Sequence, residues 1–268
     1  MIRFITISCA ISFAFSCYAQ DGNWEVYLAE YEKGPGSTVV NMDIKRTGPD
    51  KALPFLFSAG VNFTNCTADG LPVHDEFTNL NKISDSITAL VNRLVKNNLV
   101  GTFTYQCQRR DYFYVPDTTG LRQQVTSLIG KHFPTYIPAF NIKADKEWEA
   151  YFDFLYPSEL IMEYIKNEKV LMHLSEAGDK LDKPRQVDHW LYFKTNEDRN
   201  CFIRYATQHQ FQVQSKEKIN NEPYSFKLQL VRTDKVNISS ISNITLELRR
   251  EAKKCNGEYD GWETFVIK

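Results

Sequence analysis

The sequence predicts an α+β protein of two domains in which strands outnumber helices. Three observations predict this class. Short segments with alternating apolar residues recur along the chain, other segments carry apolar residues at intervals of three and four, and 268 residues exceed the usual size of one domain. Hydrophobic residues make up 43% of the chain and charged residues 24%, which is the balance of a folded protein and not of a disordered one.

The first half of the chain alternates strands with two helices. An alternating segment at 24–31 and an extended segment at 38–44 flank a glycine-rich turn and predict a hairpin. Apolar residues spaced by three and four predict an amphipathic helix over about 76–97. The other predicted elements are a strand at 55–63, a hairpin of 100–107 and 112–115 around a turn at 108–111, a helix near 121–129 and an extended segment at 136–142.

The domain boundary is predicted after a further helix. This helix begins near Ser158, a suitable N-cap, and ends at Gly178-Asp179. The residues that follow are charged and contain Pro184, which favours a linker. The sequence therefore predicts a first domain over 20–178, a linker over 179–186 and a second domain over 187–268.

The last eighty residues show the order βαββαβ of a ferredoxin-like domain. Thr195 or Asn196 is the expected cap of the first helix, and Gly257 is the expected end of the second. Asp188 and His189 are adjacent on a strand and point to opposite faces, so we expect them to be structural. Strands are predicted at 187–194, from 211–213, at 226–230 and at 262–267, and the second helix over 241–252.

The first nineteen residues have the features of a cleavable signal peptide. Arg3 is followed by an uncharged apolar stretch over 4–16, and Ala19 is the small residue that signal peptidase requires. We expect cleavage after Ala19 and a periplasmic or secreted protein, with a lipid anchor on Cys17 as the alternative. The apolar run is shorter than the roughly 20 residues of a membrane helix, so no membrane span is expected after signal removal.

Export leaves four cysteines in the mature chain, in an oxidising compartment. Three pairings are possible. The predicted layout places Cys66 with Cys107 in the first domain and Cys201 with Cys255 in the second, where the start of one helix approaches the end of the other. Four buried thiols are the alternative. The spacing of the cysteines predicts no metal site.

Three segments near the C-terminus resemble the regulator of ribonuclease E activity B family (RraB). They are Arg185 to Trp190, Leu228 to Asp234 and above all Gly257 to Thr264, which reads GEYDGWET. The region 24–177 is similar to the domain-of-unknown-function family 695 (DUF695). The first resemblance implies a ferredoxin-like domain without catalytic activity that binds a cytoplasmic endoribonuclease and inhibits it.

Two features differ from what that resemblance implies. The best-studied members of the regulator family are strongly acidic, whereas residues 186–268 contain 13 basic and 11 acidic side chains. The signal peptide would also separate the protein from RNA decay in the cytoplasm. The fold is therefore expected to carry over, while the target is expected to differ.

The segment 257–264 supplies the candidate partner-binding residues. Carboxylates and aromatic rings together suit recognition of a protein surface. The alternative is a helix end followed by an edge strand. The candidates are Glu258, Tyr259, Asp260, Trp262 and Glu263.

A search for catalytic motifs finds none, and we predict no catalytic residue, metal or cofactor. The only histidine grouped closely with two acidic residues is His74, next to Asp75 and Glu76, and Asp75 is expected to cap a helix. A formal net charge of −1 gives no sign of direct nucleic-acid binding.

The sequence therefore predicts an exported, non-enzymatic binding or regulatory protein that acts on an unidentified protein partner. Two alternatives remain: the ribonuclease regulator of the family it resembles, and an enzyme with a site in the N-terminal domain or the interdomain cleft. A pocket that gathers two or more of His74, His132, Asp75 and nearby acids would favour an enzyme. An exposed aromatic patch of several hundred Å² would favour a binding protein.

Overall fold

The computed structural model describes residues 22–268, which form two compact units divided between Pro157 and Ser158. Both units combine helices with antiparallel sheets, so the predicted α+β class is confirmed. The predicted signal peptide, with its cleavage point after Ala19, lies outside the described residues. Within the described residues no helix combines the length and the apolar character that crossing a membrane requires.

The first unit is built on a six-stranded antiparallel sheet. Its elements are β1 (Trp24–Tyr31), β2 (Gly34–Asn41), α1 (Ile44–Thr47), β3 (Phe55–Asn62), α2 (Glu76–Leu94), β4 (Asn98–Tyr105), β5 (Gln108–Val115), α3 (Leu121–His132), β6 (Ile137–Ala144) and a π-helical turn (Ala150–Leu155). The strand order is β1-β2-β4-β5-β3-β6, and every neighbouring pair is antiparallel.

Both faces of the centre of this sheet are covered. The apolar stripe of α2, which includes Ile83 and Ile87, packs with α3 on Phe57 and Phe113. On the opposite face Trp148 stacks on Tyr114 with ring centroids 4.1 Å apart. The double cover explains why β3 is apolar along most of its length and lacks simple alternation.

The hairpin of β4 and β5 turns two residues earlier than predicted. Gln106 and Cys107 occupy the turn with φ of 50° and 56°, and Arg109 and Arg110 lie in β5 instead of at the tip. Positive φ at two successive residues usually indicates Asn-Gly, a signal that this sequence lacks. Backbone hydrogen bonds hold the turn, since the Cys107 amide donates to the Gly70 carbonyl at 2.8 Å.

The second unit carries a four-stranded antiparallel sheet in the order β10-β7-β9-β8. This is the order of a ferredoxin-like domain, so the predicted fold is confirmed. The last strand begins at Gly257, five residues before the predicted start. The elements are α4 (Glu159–Glu176), β7 (Arg185–Phe193), α5 (Asn196–Gln208), β8 (Gln212–Lys218), β9 (Phe226–Asp234), α6 (Ile238–Lys254) and β10 (Gly257–Glu263).

Helix α4 belongs to the second unit, and its assignment to a first domain over 20–178 is wrong. Leu171 and Leu174 of α4 are buried with Ile241 of α6 and Trp262 of β10. Glu163 of α4 forms an ion pair with Arg249 of α6 at 2.8 Å. Because these contacts join residues far apart in sequence, the periodicity of α4 alone did not show which core it completes.

The segment 179–186 is held in place and is not the predicted linker. Asp179 and Arg185 form a buried ion pair, with side chains 1% and 0% exposed. The second guanidinium nitrogen of Arg185 donates to Asp179 at 3.0 Å, and the Ile267 amide donates to the same carboxylate at 2.7 Å. The hydrogen bonds from Arg185 hold the pKa of Asp179 well below its usual range. Two of the charges that suggested a solvated linker, those of Asp179 and Arg185, therefore pair with each other.

Both predicted disulfides are present. Cys66 bonds to Cys107 in the first unit, and Cys201 bonds to Cys255 in the second. Cys201 lies in α5 and Cys255 directly follows α6, as the antiparallel arrangement of the two helices requires. Two disulfides are compatible with a periplasmic or extracellular location.

Replacing Asp179 with Asn tests the ion pair that fixes this segment. The variant leaves the Arg185 guanidinium buried without a counter-charge, so we expect a loss of about 3 kcal/mol in the free energy of unfolding at pH 7. The control Asp182→Asn makes the same change at an exposed residue of the segment and is expected to cost less than about 0.5 kcal/mol. Urea unfolding measures both.

The same pair sets a pH dependence. Because the pKa of Asp179 is lowered on folding, its contribution is present above about pH 4 and is lost as the pH falls further. The difference between wild type and Asp179→Asn should therefore shrink in acid. An equal difference at pH 7 and in strong acid would contradict the ion pair as its source.

Candidate functional site

The predicted recognition segment forms β10, an edge strand whose side chains divide between two faces. Tyr259 and Trp262 are 2% and 8% exposed, whereas Glu258, Asp260 and Glu263 are exposed. The two aromatic side chains therefore cannot form a recognition surface, and this part of the candidate set is corrected. The period of two along a strand explains the division, with a bulge between Tyr259 and Gly261.

Trp262 completes a polar network inside the second unit. Its indole Nε1 donates to Asn167 Oδ1 of α4 at 2.8 Å. The Asn167 amide nitrogen donates to Ser242 Oγ at 3.1 Å and to Thr245 Oγ1 at 2.9 Å, both in α6. Because every member is buried and bonded, the network fixes α4 against α6 and β10.

Tyr259 meets the buried histidine of β7. The Tyr259 hydroxyl lies 2.9 Å from His189 Nδ1. His189 is fully buried, and no hydrogen-bond partner of its Nε2 is found among the described residues. Burial, assisted by the positive charge of Arg232, lowers the pKa of His189 to about 3. His189 is therefore a neutral core residue. Because its side chain is fully buried, it is not an accessible acid or base.

The other side chains of β7 form the centre of a surface without helices. The described helices of this unit pack on the face of Val187, His189 and Leu191. The opposite face is called the open face below. Its residues are Gln186, Asp188, Trp190 and Tyr192 of β7, Lys227, Gln229, Val231 and Thr233 of β9, Ser215 and Glu217 of β8, and Glu258 and Glu263 of β10.

Two half-buried aromatic rings lie at the centre of the open face beside carboxylates. Trp190 and Tyr192 follow each other on this face of β7. Glu258 is paired with Tyr192 in the strand register, and Glu263 is paired with Asp188. The side-chain amides of Gln186 and Gln229 donate to Asp188 at 3.2 and 3.0 Å and fix its position.

One further contact extends the acidic side of the open face. A hydrogen bond to the Glu258 carboxylate raises the pKa of the Tyr224 hydroxyl. Lys227 lies on the other side of the face and is 3.9 Å from Glu217. The carboxylates of β7 and β10 thus form an acidic border along one side of Trp190 and Tyr192.

Comparison with known families agrees with this division of the chain. Residues 22–156 match the model of DUF695, described as a family of unknown function. The chain belongs to the DUF695 family. Residues 164–264 match the family model described as regulator of ribonuclease activity B. No curated protein matches the chain.

The extent of the RraB match has a structural reason. It begins at 164, inside α4, instead of at the predicted linker. The DUF695 match ends at 156, next to the boundary between the two compact units. Both resemblances seen in the sequence are confirmed. The RraB match includes most of α4, the helix that is added in front of the βαββαβ elements.

The candidate catalytic residues of the first unit lie at its surface. His74, Asp75 and His132 are exposed. Asp75 precedes α2, but its side chain makes no capping hydrogen bond. The buried Glu76 instead accepts a hydrogen bond from the Tyr136 hydroxyl at 2.8 Å. Among residues 22–268 no group of three or more potential metal ligands is found.

Sequence reasoning missed the aromatic centre of the open face. In the sequence Trp190 stands out only as the end of the segment 185–190 that resembles the regulator family, and Tyr192 belongs to no motif. The signal is the strand pattern of 185–193, in which every second residue, beginning with Arg185, is buried. It could have separated a core set from a surface set once the helical face was known.

His189 provides a test of the core assignment. An imidazole in the unfolded chain binds a proton near pH 6.5, whereas folded His189 does so only near pH 3. Stability should therefore fall as the pH decreases through this interval, by up to about 1.4 kcal/mol per pH unit from this residue. Replacing His189 with Gln should flatten the profile measured by urea unfolding between pH 3 and 6.5.

The companion variant Tyr259→Phe separates burial from hydrogen bonding. Burial is the main cause of the lowered pKa, so Tyr259→Phe should keep the steep wild-type profile even if it lowers the overall stability. Identical profiles for wild type and His189→Gln would show that His189 is not a buried neutral residue.

Proposed function

We propose that this protein is an exported, non-enzymatic binding or regulatory protein whose open face binds a protein partner. The family matches support a regulatory or binding role in general terms. The observation that carries the specific proposal is the pair of half-buried rings, Trp190 and Tyr192, on a sheet face that no helix of its unit covers. Tryptophan and tyrosine are enriched at the centres of protein interfaces.

Charge complementarity specifies the chemistry of the partner. Asp188, Glu258 and Glu263 border the rings on the β7–β10 side. An arginine or lysine of a partner could pair with these carboxylates while its neighbouring apolar side chains contact Trp190. The proposed partner is therefore a protein with a basic, partly apolar surface, and direct nucleic-acid binding is not proposed.

The absence of catalytic activity is part of the proposal. His189 is buried and neutral, and His74 and His132 are exposed side chains. The buried carboxylates of the second unit, such as Glu163 and Asp179, are engaged in ion pairs. The side chains that face solvent on the open face suit recognition more than proton transfer or nucleophilic attack.

A second candidate function is favoured by the match over residues 164–264. The matched family is described as a regulator of ribonuclease activity. In that case the protein would remain in the cytoplasm, keep its first residues and bind a ribonuclease. The two candidates differ in compartment and in the identity of the partner, so separate experiments distinguish them.

The open face is tested with surface variants used as bait. We expect Trp190→Ala and Glu263→Lys each to weaken retention of the partner at least about tenfold, because central aromatic and charged contacts dominate interface energies. The control Glu168→Lys makes the same charge reversal on exposed α4, away from the open face. It should retain the partner as wild type does.

Envelope and cytoplasmic extracts are presented separately to the four baits, and retained proteins are quantified by mass spectrometry. The proposal requires a protein that wild type and Glu168→Lys retain and the two open-face variants lose. Equal retention by all four baits would overturn the open face as the binding surface. Selective retention of a cytoplasmic ribonuclease by wild type and Glu168→Lys would favour the second candidate.

Export is tested at the N-terminus of the protein isolated from its own cells. Cleavage after Ala19 leaves Gln20 as the first residue, as small residues before the cleavage point allow. N-terminal peptide mass spectrometry of the envelope, secreted and cytoplasmic fractions should find this end only outside the cytoplasm. A cytoplasmic protein that begins at Met1 would contradict export.

A further inference from the structure

The first unit carries a groove that is separate from the open face. Its volume is about 320 Å³, at the lower end of the roughly 300–1,000 Å³ of small-molecule sites. It opens on the sheet face that carries the π-helical turn. The residues that matter here are Arg110 and Tyr112 of β5, Asn141 and Lys143 of β6, and Glu149 and Phe154 at the π-helical turn.

The strand register explains why a groove exists there. β3 lies between β5 and β6 and therefore separates the two strands whose side chains form the walls. Gly60, paired with Arg110, has no side chain, and a Cβ there would lie only 1.9 Å from the Arg109 carbonyl oxygen. The close approach of β3 and β5 therefore requires glycine, and β3 adds no side chain at this position.

The strand between the two walls carries a buried hydroxyl. Ser58 is paired with Tyr112 on one side and with Asn141 on the other. It is fully buried, and its Oγ has no hydrogen-bond partner within the described residues. Ser58 is not among the residues that line the groove, so the contacts to a ligand come from β5, β6 and the π-helical turn.

The charges of the walls favour an anion beside Arg110. Lys143 is 3.6 Å from Asp145 and 3.5 Å from Glu149, so its charge is balanced within its own wall. The Arg110 guanidinium lies 5.9 Å from the centre of the Tyr112 ring. The planar guanidinium of Arg110 and the side-chain amide of Asn141 line the same groove and match a carboxylate, to which a guanidinium can donate two parallel hydrogen bonds.

The apolar part of the groove favours an aromatic body. The rings of Tyr112 and Phe154 are 6.2 Å apart at an angle of 39°, and Phe154 is 36% exposed. Phe154 also contacts Phe103 edge-on at 4.8 Å, which extends the aromatic surface beyond the groove. Offset and edge-on contacts of this kind accommodate an additional ring.

We propose that this groove binds small aromatic carboxylates, with the carboxylate held by Arg110 and Asn141 and the ring held by Tyr112 and Phe154. The site lies wholly in the first unit, so it does not depend on the proposed function of the open face. It gives the DUF695 domain a ligand class of its own.

The probe for this site is phenylacetate, titrated into the purified protein and followed by amide chemical shifts. Saturable shifts are expected at Tyr112, Asn141 and Ala150. The neutral isostere phenylacetamide should bind at least about tenfold more weakly, since it lacks the charge that Arg110 recognises. Equal binding of both compounds would overturn the carboxylate assignment.

Two variants locate the binding energy. Arg110→Gln should weaken phenylacetate at least about tenfold, whereas Arg93→Gln, on exposed α2 beyond the opposite sheet face, should bind as wild type does. Phe154→Ala, at a partly exposed residue, should weaken both probes alike. No saturable shift up to about 10 mM, or equal affinity of Arg110→Gln and Arg93→Gln, would overturn the proposal.

Discussion

The one-sided cover of the four-stranded sheet is the constraint on which the second unit depends. Successive side chains of a strand lie on opposite faces of the sheet. When helices cover one face, alternate residues of each strand must pack in the core and the others must face away from the helices. In β7 the residues Val187, His189 and Leu191 meet the helical layer, and Trp190 and Tyr192 cannot join them. The nine residues of β7 therefore contribute alternately to the core and to the candidate binding surface.

The added helix α4 makes this layer wider and more specific. Apolar packing alone would let a helix slide along its neighbour, but Asn167 must satisfy its amide with Ser242, Thr245 and the Trp262 indole together. Any shift would leave several buried polar groups unpaired, each costing about 1–3 kcal/mol. The tryptophan of the GEYDGWET segment is thus explained by the attachment of α4, a structural role that leaves only carboxylates for recognition.

The sequence predicted features that depend on local order and missed those that depend on distant contacts. Alternation, helical spacing and capping residues located nearly every element, and the antiparallel helices of a βαββαβ unit were enough to pair Cys201 with Cys255. The prediction of the domain boundary was wrong because charged residues such as Asp179 and Arg185 are expected to be solvated, whereas in the structure they form a buried ion pair. The groove in the first unit was equally hidden, since Arg110 of β5 and Asn141 of β6, on either side of β3, line one groove only after the sheet has formed.

The charge of the second unit need not match the acidic members of the regulator family for a basic partner to be recognised. Its slight excess of basic residues is an average over the whole surface, and at physiological ionic strength charges are screened beyond about 8 Å. Several of the basic residues, including Arg250, Lys253 and Lys254, lie in α6. This helix belongs to the helical layer and not to the open face. A partner at the open face would mainly experience Asp188, Glu258 and Glu263, so local and overall charge have opposite signs where binding is proposed.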